Sequence, residues 1–382
     1  MAEEMTQITR RRRSGKHLTL ERILDYAVKH RASDIHLKEA RPPIIRVDGE
    51  IRFVGETPLT HTHMLGYLDL LMAPPLKDEF LERGDADIAA TFPGIGRFRV
   101  NCLKQRSSVA IIMRHVKSKL PDLAKMHLPS VPIQHIAELR RGLALVTGTT
   151  GSGKSTTLAG IIDIINKTRH EHIVTLEDPI EFLHEDKMSS VVQREVSIDT
   201  KDFKTALRAL MREDPDVILI GEMRDTETFQ ACISAAETGH MVLSTLHTTN
   251  AMLTIDRILD LFPPEQHQQV RSQLALQLRA ILSQRLLPAA SGSGRVPAVE
   301  VMFNTPAIAS LIRDNNLKLI PNAIAGGKEE GMQTFNMSLA KLVEQGLILE
   351  EDALNASDNA DELKMNLKGI FLSQGRGGIL KR

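Results

Sequence analysis

The chain has 382 residues, 42% hydrophobic and 25% charged, a composition suited to a soluble protein of two or three domains. Lys plus Arg and Asp plus Glu each total 48, and aromatics are 3% with no Trp, which argues against a nonspecific nucleic-acid binder working through counterion release or base stacking. Cys102 and Cys232 alone build neither a disulfide framework nor a four-thiolate zinc site, and no apolar run reaches the roughly 18 residues of a membrane helix, so the expected compartment is the cytoplasm.

Residues 1–16, with the run Arg10 to Arg13, read as a disordered basic tail. Structure is expected from Leu18. Leu20, Ile23, Leu24, Ala27 and Val28 form a helical stripe, with Thr19 placed to cap it. Short strands follow at Ser33–Leu37, Ile44–Val47 and Ile51–Val54, with Asp48-Gly49 as a hairpin turn. A helix covers Met64–Met72 and stops before Pro74-Pro75.

Arg97–Leu103 and Ser107–Arg114 alternate as half-buried strands. With Lys104–Ser107 as the turn, Arg97 lies opposite Arg114 and Arg99 shares their face. Like charges facing each other across a sheet call for an anion or wide solvent exposure. These elements make an α+β domain over residues 17–116. Lys117–Arg141 holds Pro121, Pro129 and Pro132 and reads as a linker with a short helix near its end.

From Gly142 strands and helices alternate. Leu143–Val146, Ile173–Leu176, Val217–Ile220 and Met241–Leu246 are short apolar runs, as in a mostly parallel sheet covered on both faces. One helical stripe joins Phe203, Leu207, Leu210 and Met211. A second runs through Val270, Leu274, Leu278, Ile281 and Leu282 after Pro263-Pro264. A Ser/Gly loop at 291–294 and a mixed region of short helices follow. This α/β domain is expected over 142–350 and a C-terminal tail over 351–382.

Gly148-Thr149-Thr150-Gly151-Ser152-Gly153-Lys154-Ser155, followed by Thr156, fits G-x-x-x-x-G-K-[ST] between a predicted strand and a predicted helix. The glycines let backbone N–H groups curl round phosphates, and the helix start favours the same anion. Lys154 is placed for the β- and γ-phosphates of a nucleoside triphosphate and Ser155 for Mg²⁺. Two acidic strand ends should flank the loop, because ligands of open α/β sheets bind beyond the carboxyl ends of strands. The first is Glu177-Asp178-Pro179, where Glu177 is the candidate general base. The second is Gly221-Glu222, where Glu222 is the candidate Mg²⁺ carboxylate. His240 and His247 bracket the last apolar run and are candidate phosphate sensors. His61 with His63, and His170 with His172, lack an obvious third metal ligand.

Four segments stand in order: the phosphate loop, Thr175–Phe182, Arg212–Asp225 and Ala236–Thr248. Together they resemble the secretion ATPase superfamily, most closely the PilT-type ATPases that retract type IV pili. The resemblance implies a PAS-like N-terminal domain and a RecA-like P-loop NTPase domain, hence an α/β fold overall. It implies a homo-hexamer acting on an inner-membrane platform protein, with or without a paralogous retraction ATPase; on the neutral charge and scarce aromatics no nucleic acid is expected as a partner. It places the base on Glu177, Mg²⁺ handling on Glu222 and finger arginines on Arg97, Arg99 and Arg114. The absent four-cysteine insertion favours the retraction branch over extension. In the C-terminal motif A-I-R-N-L-I-R-E, here Ala307 to Asp314, the third, fourth and eighth positions differ, so the resemblance leaves both the principal retraction motor and an accessory paralogue of the PilU kind open.

Overall fold

The computed structural model describes residues 18–47, 49–116, 120, 122–196 and 198–368. The expected basic tail, with Arg10 to Arg13, and the final residues from 369 lie outside them. The chain divides into two units, Met1–Lys119 and Leu120–Arg382.

The first unit begins with α1 (Leu20–Lys29), whose stripe buries Leu20, Ile23, Leu24 and Ala27; Thr19 precedes it without a side-chain cap bond. Then come β1 (Asp34–Lys38), β2 (Ile44–Val47), β3 (Glu50–Phe53), α2 (His61–Leu71), α3 (Pro74–Arg83), β4 (Asp85–Phe92), β5 (Gly96–Gln105) and β6 (Ser108–Val116). The strands form one antiparallel sheet in the order β3-β2-β1-β6-β5-β4. Its core joins the α1 stripe to Met64, Leu68, Phe80, Phe98, Val100, Cys102, Ile111 and Met113. Pro74-Pro75 does stop α2, but it also starts α3, because proline lacks only an N–H that a first turn leaves unbonded anyway.

The β5–β6 register differs from expectation by two residues. Arg106 and Ser107 both take positive φ (47° and 63°) and make a two-residue turn, so Leu103 pairs with Ala110. Arg99, not Arg97, therefore stands opposite Arg114, and Arg97 faces Val116. An even shift preserves the face, so the three arginines still share one. The anion beside Arg114 is internal: Asp34 on β1 accepts from both Nε and Nη2 at 2.8 Å.

The second unit opens with α4 (Ser130–Glu138) inside the stretch expected as a linker, and its Ile133, Ile136 and Ala137 lie in the second core. Next are β7 (Gly142–Thr147), α5 (Lys154–Thr168), β8 (His172–Glu177), β9 (Ser190–Glu195), α6 (Phe203–Leu210), β10 (Val217–Ile220), α7 (Thr226–Glu237), β11 (Met241–Leu246), α8 (Ala251–Leu259), α9 (His267–Gln277), β12 (Leu278–Pro288) and β13 (Arg295–Phe303). The sheet order is β13-β12-β7-β11-β10-β8-β9, parallel except for β13. The helical stripe expected through Leu282 thus ends at Gln277. Leu278, Ile281 and Leu282 belong to β12, where inner positions are buried on both faces and mimic a buried helix.

Beyond β13 come α10 (Pro306–Arg313), α11 (Ile320–Gly326), α12 (Phe335–Glu344), α13 (Glu350–Ala356) and α14 (Ala360–Leu367). Phe335, Leu339, Ala353 and Leu363 from α12 to α14 form a small separate core with Leu287, Val296 and Ala298. Arg285 on β12 fastens these helices. It donates to the Ala356 carbonyl, pairs with both Asp358 oxygens at 2.8 Å and lies 4.0 Å over the Phe335 ring.

Candidate active site at the carboxyl edge of the parallel sheet

The phosphate loop leaves β7 and enters α5. Gly148, Gly151 and Gly153 have φ of 146°, 79° and 93°. At Gly148 glycine is required on two counts: a Cβ would lie 2.4 Å from Ser152 Oγ and 2.5 Å from the Gln284 carbonyl oxygen. Lys154 is buried, and its ammonium donates to the carbonyls of Gly148 (2.8 Å) and Thr149 (3.2 Å). Burial lowers its pKa, opposed by the nearby charge of Glu222. Ser155 is exposed on the first turn of α5, with Thr156 half-buried beside it.

The neighbouring strand ends bring further groups to this edge. His247, just past β11, bridges the loop and the acidic strand end: Nδ1 lies 3.5 Å from Thr150 Oγ1 and Nε2 lies 3.3 Å from Glu222 Oε1. Glu222 Oε2 pairs with Arg224 at 2.9 Å. Burial opposes ionisation of Glu222, but Arg224 and His247 outweigh it and hold the carboxyl below its ordinary value. Arg224 lies within the 212–225 segment but was not singled out from the sequence as a site residue.

Glu177 ends β8, adjacent to β10 and three strands from β7, about 14 Å along the edge. Its Oε1 accepts from Thr175 Oγ1 (2.7 Å) and Gln193 Nε2 (3.1 Å). Desolvation raises its pKa against the lowering effect of these bonds. Its carboxylate is therefore tied to β9 rather than to the Glu222–His247 pair. Gln193 gave no sequence signal, because the strand carrying it was not foreseen.

His240 does not join this site within the chain. It precedes β11 at the opposite edge of the sheet, about 20 Å from His247 along the strand. There its Nδ1 lies 2.9 Å from the Ala235 carbonyl and 3.0 Å from Thr238 Oγ1, a local structural setting. Arg97, Arg99 and Arg114 lie in the first unit. Among the described residues no group of three or more His, Cys, Asp or Glu side chains could hold a metal by itself. The Ser155 hydroxyl and Glu222 carboxylate are hard oxygen donors, fit for a Mg²⁺ that arrives with nucleotide phosphates.

Residues 13–315 match the family described as type II/IV secretion system protein. The chain is 45% identical over 336 residues to the type IV pilus retraction ATPase PilT of Pseudomonas aeruginosa, covering 88% of this chain and 97% of that one. It is 38% identical to the type IV pilus ATPase PilU of the same organism, over 92% of each chain. A twitching motility protein of Neisseria gonorrhoeae is 42% identical over 84% of this chain and 86% of its own. Among solved structures, the pilus retraction motor PilT with bound ADP superposes with a TM-score of 0.83 at 44% identity, covering 91% of this chain and 99% of that one. With the phosphate loop, the acidic strand ends and the two-unit α/β fold in place, the chain belongs to the type II/IV secretion ATPase family, among its PilT-type ATPases.

Proposed function

We propose that this ATPase hydrolyses Mg²⁺-ATP to retract a type IV pilus, as a homo-hexamer working on an inner-membrane platform protein from the cytoplasmic side. One observation carries the reading: Lys154, His247 and Glu222 converge at a phosphate loop in a chain that matches nearly the whole length of a pilus-retraction ATPase.

The loop amides from Gly148 to Ser155 hold the β- and γ-phosphates. The Lys154 ammonium exchanges the Gly148 and Thr149 carbonyls for phosphate oxygens, which it favours as a cation already stripped of water. Ser155 and Glu222 would hold Mg²⁺, whose chemistry there would be to offset charge on the transferring phosphoryl group. His247 reports on that charge, since it touches both Thr150 and Glu222. Glu177 accepts the proton of the attacking water, and its raised pKa makes it a stronger base than a free carboxylate. Arg97, Arg99 and Arg114 serve as fingers, with Arg114 released from Asp34 to do so.

The test has two parts. Lys154→Ala should abolish nucleotide binding and Mg²⁺-dependent hydrolysis. Cells lacking the gene should carry excess surface pili by electron microscopy; bald cells would overturn the retraction reading. A second reading, an accessory ATPase beside a paralogous motor, is favoured by Ala309 and Ser310 in α10, where the retraction motif has Arg and Asn. Unchanged piliation would select it.

A further inference from the structure

We infer that Gln284 is a positioning residue that clamps both ends of the phosphate loop. The inference rests on the reading of residues 148–155 as that loop. Gln284 is 2% exposed on β12, the strand beside β7. Its side-chain Nε2 donates to Thr157 Oγ1 at 3.0 Å, on the first turn of α5 and three residues past Lys154. Its own backbone carbonyl presses on Gly148, the first residue of the loop, closely enough to forbid a Cβ there. One residue therefore contacts the chain where it leaves the sheet and where it enters the helix. Its neighbour Ser283 accepts from Thr147 Oγ1 at 2.9 Å, which fixes the strand end immediately before the loop.

The rest of the amide argues that stability alone does not explain it. Gln284 Oε1 is buried with no hydrogen-bond partner among the described residues. An unmet buried polar atom is a liability, and an apolar side chain of the same shape would avoid it. The half of the amide that is bonded reaches only Thr157, so the grip on α5 is the gain. The loop must hold its amides in a fixed curve for phosphate oxygens, and the distance between Gly148 and α5 sets that curve. Arg285, next on β12, is anchored through Asp358 and Phe335, so the clamp stands on a strand fixed from its other side.

The experiment compares the full-length protein with Gln284→Met, Thr157→Val, the double variant, and Lys154→Ala as a control. Steady-state ATPase, binding of a fluorescent ATP analogue and thermal melting are measured on each. Gln284→Met should raise KM for ATP and the analogue Kd about tenfold, the equivalent of one lost buried hydrogen bond. That change should appear well below the melting temperature. The double variant should bind no more weakly than Gln284→Met alone, since both act through one contact. A Gln284→Met protein that melts lower but keeps the parental KM and Kd would overturn the clamp and leave a structural amide. If Lys154→Ala binds nucleotide normally, the loop reading itself fails, and the clamp with it.

Discussion

Glu300 sits inside the ATPase unit on β13, 7% exposed, with Oε1 accepting the Ala251 N–H at 2.7 Å. Ala251 is the first residue of α8, which follows directly on the loop bearing His247. Burial pushes the Glu300 carboxyl up to about 7; the Ala251 N–H and Arg285 oppose this and Asp358 adds to it. A carboxyl whose pKa rises on folding favours the folded state while both states are protonated. That benefit is complete below the unfolded value of 4.5 and is lost as pH climbs to about 7. At about 1.36 kcal/mol per pH unit, the loss is about 3 kcal/mol. Glu300→Gln keeps an oxygen for Ala251 and removes the ionisation. The variant should exceed the parent by about 1 kcal/mol or less near pH 5 and by about 3 kcal/mol at pH 8. For a domain of this size that is a rise of about 6 °C or more in melting temperature. Thermal melts of both proteins at half-unit steps from pH 5 to pH 8 check it. A difference that stays flat across the series, or a variant less stable at pH 8, would refute the reasoning.

Other outcomes follow from single contacts. Glu177→Gln should leave analogue binding intact and slow hydrolysis by about 10²-fold or more, read in single-turnover assays; an undiminished rate would move the base elsewhere. Gly160→Ala should lower stability by about 1–3 kcal/mol, because its Cβ would meet Leu123 at 2.3 Å, and Leu123→Ala in the same chain should restore most of it. Urea titration of the two single variants and the pair reads this, and a stabilised Gly160→Ala would show that Leu123 swings aside freely. At Asp34, burial opposes ionisation but Ser33 and Arg114 prevail and hold the carboxyl below its ordinary value of 3.8. Its contribution is therefore present at neutral pH and fades as pH falls below that value. Asp34→Asn should destabilise by about 1 kcal/mol at pH 7, leaving Arg114 facing Arg99 without its counter-charge. Denaturation at pH 7 and pH 3 checks this; an equal deficit at both would exclude the charge.

Much of the chemistry is legible along the chain because it is local. The loop from Gly148 to Ser155 needs glycines, a lysine and a hydroxyl at fixed spacing, and no distant residue can change that requirement. The runs at β7, β8, β10 and β11 are equally plain, since strands buried on both faces must be apolar throughout. The same property hid β12: a fully buried strand and a buried helix look alike until the sheet claims one of them. β9 and β13, and with them Gln193 and Glu300, were missed because membership of the sheet is decided by neighbours far along the chain.

Side-chain partners were the least legible. The sequence by itself determined that Arg97, Arg99 and Arg114 share a face, because strand alternation has period two. Only the tertiary structure decided that Arg99 meets Arg114 and that Asp34, 80 residues away, supplies the anion. Likewise His240 and His247 read as a symmetrical pair, yet the parallel packing of β11 against β7 sends one to the phosphate loop and the other to the far edge. Covalent spacing fixes which residues are local; the direction in which each strand enters the sheet fixes which of them meet.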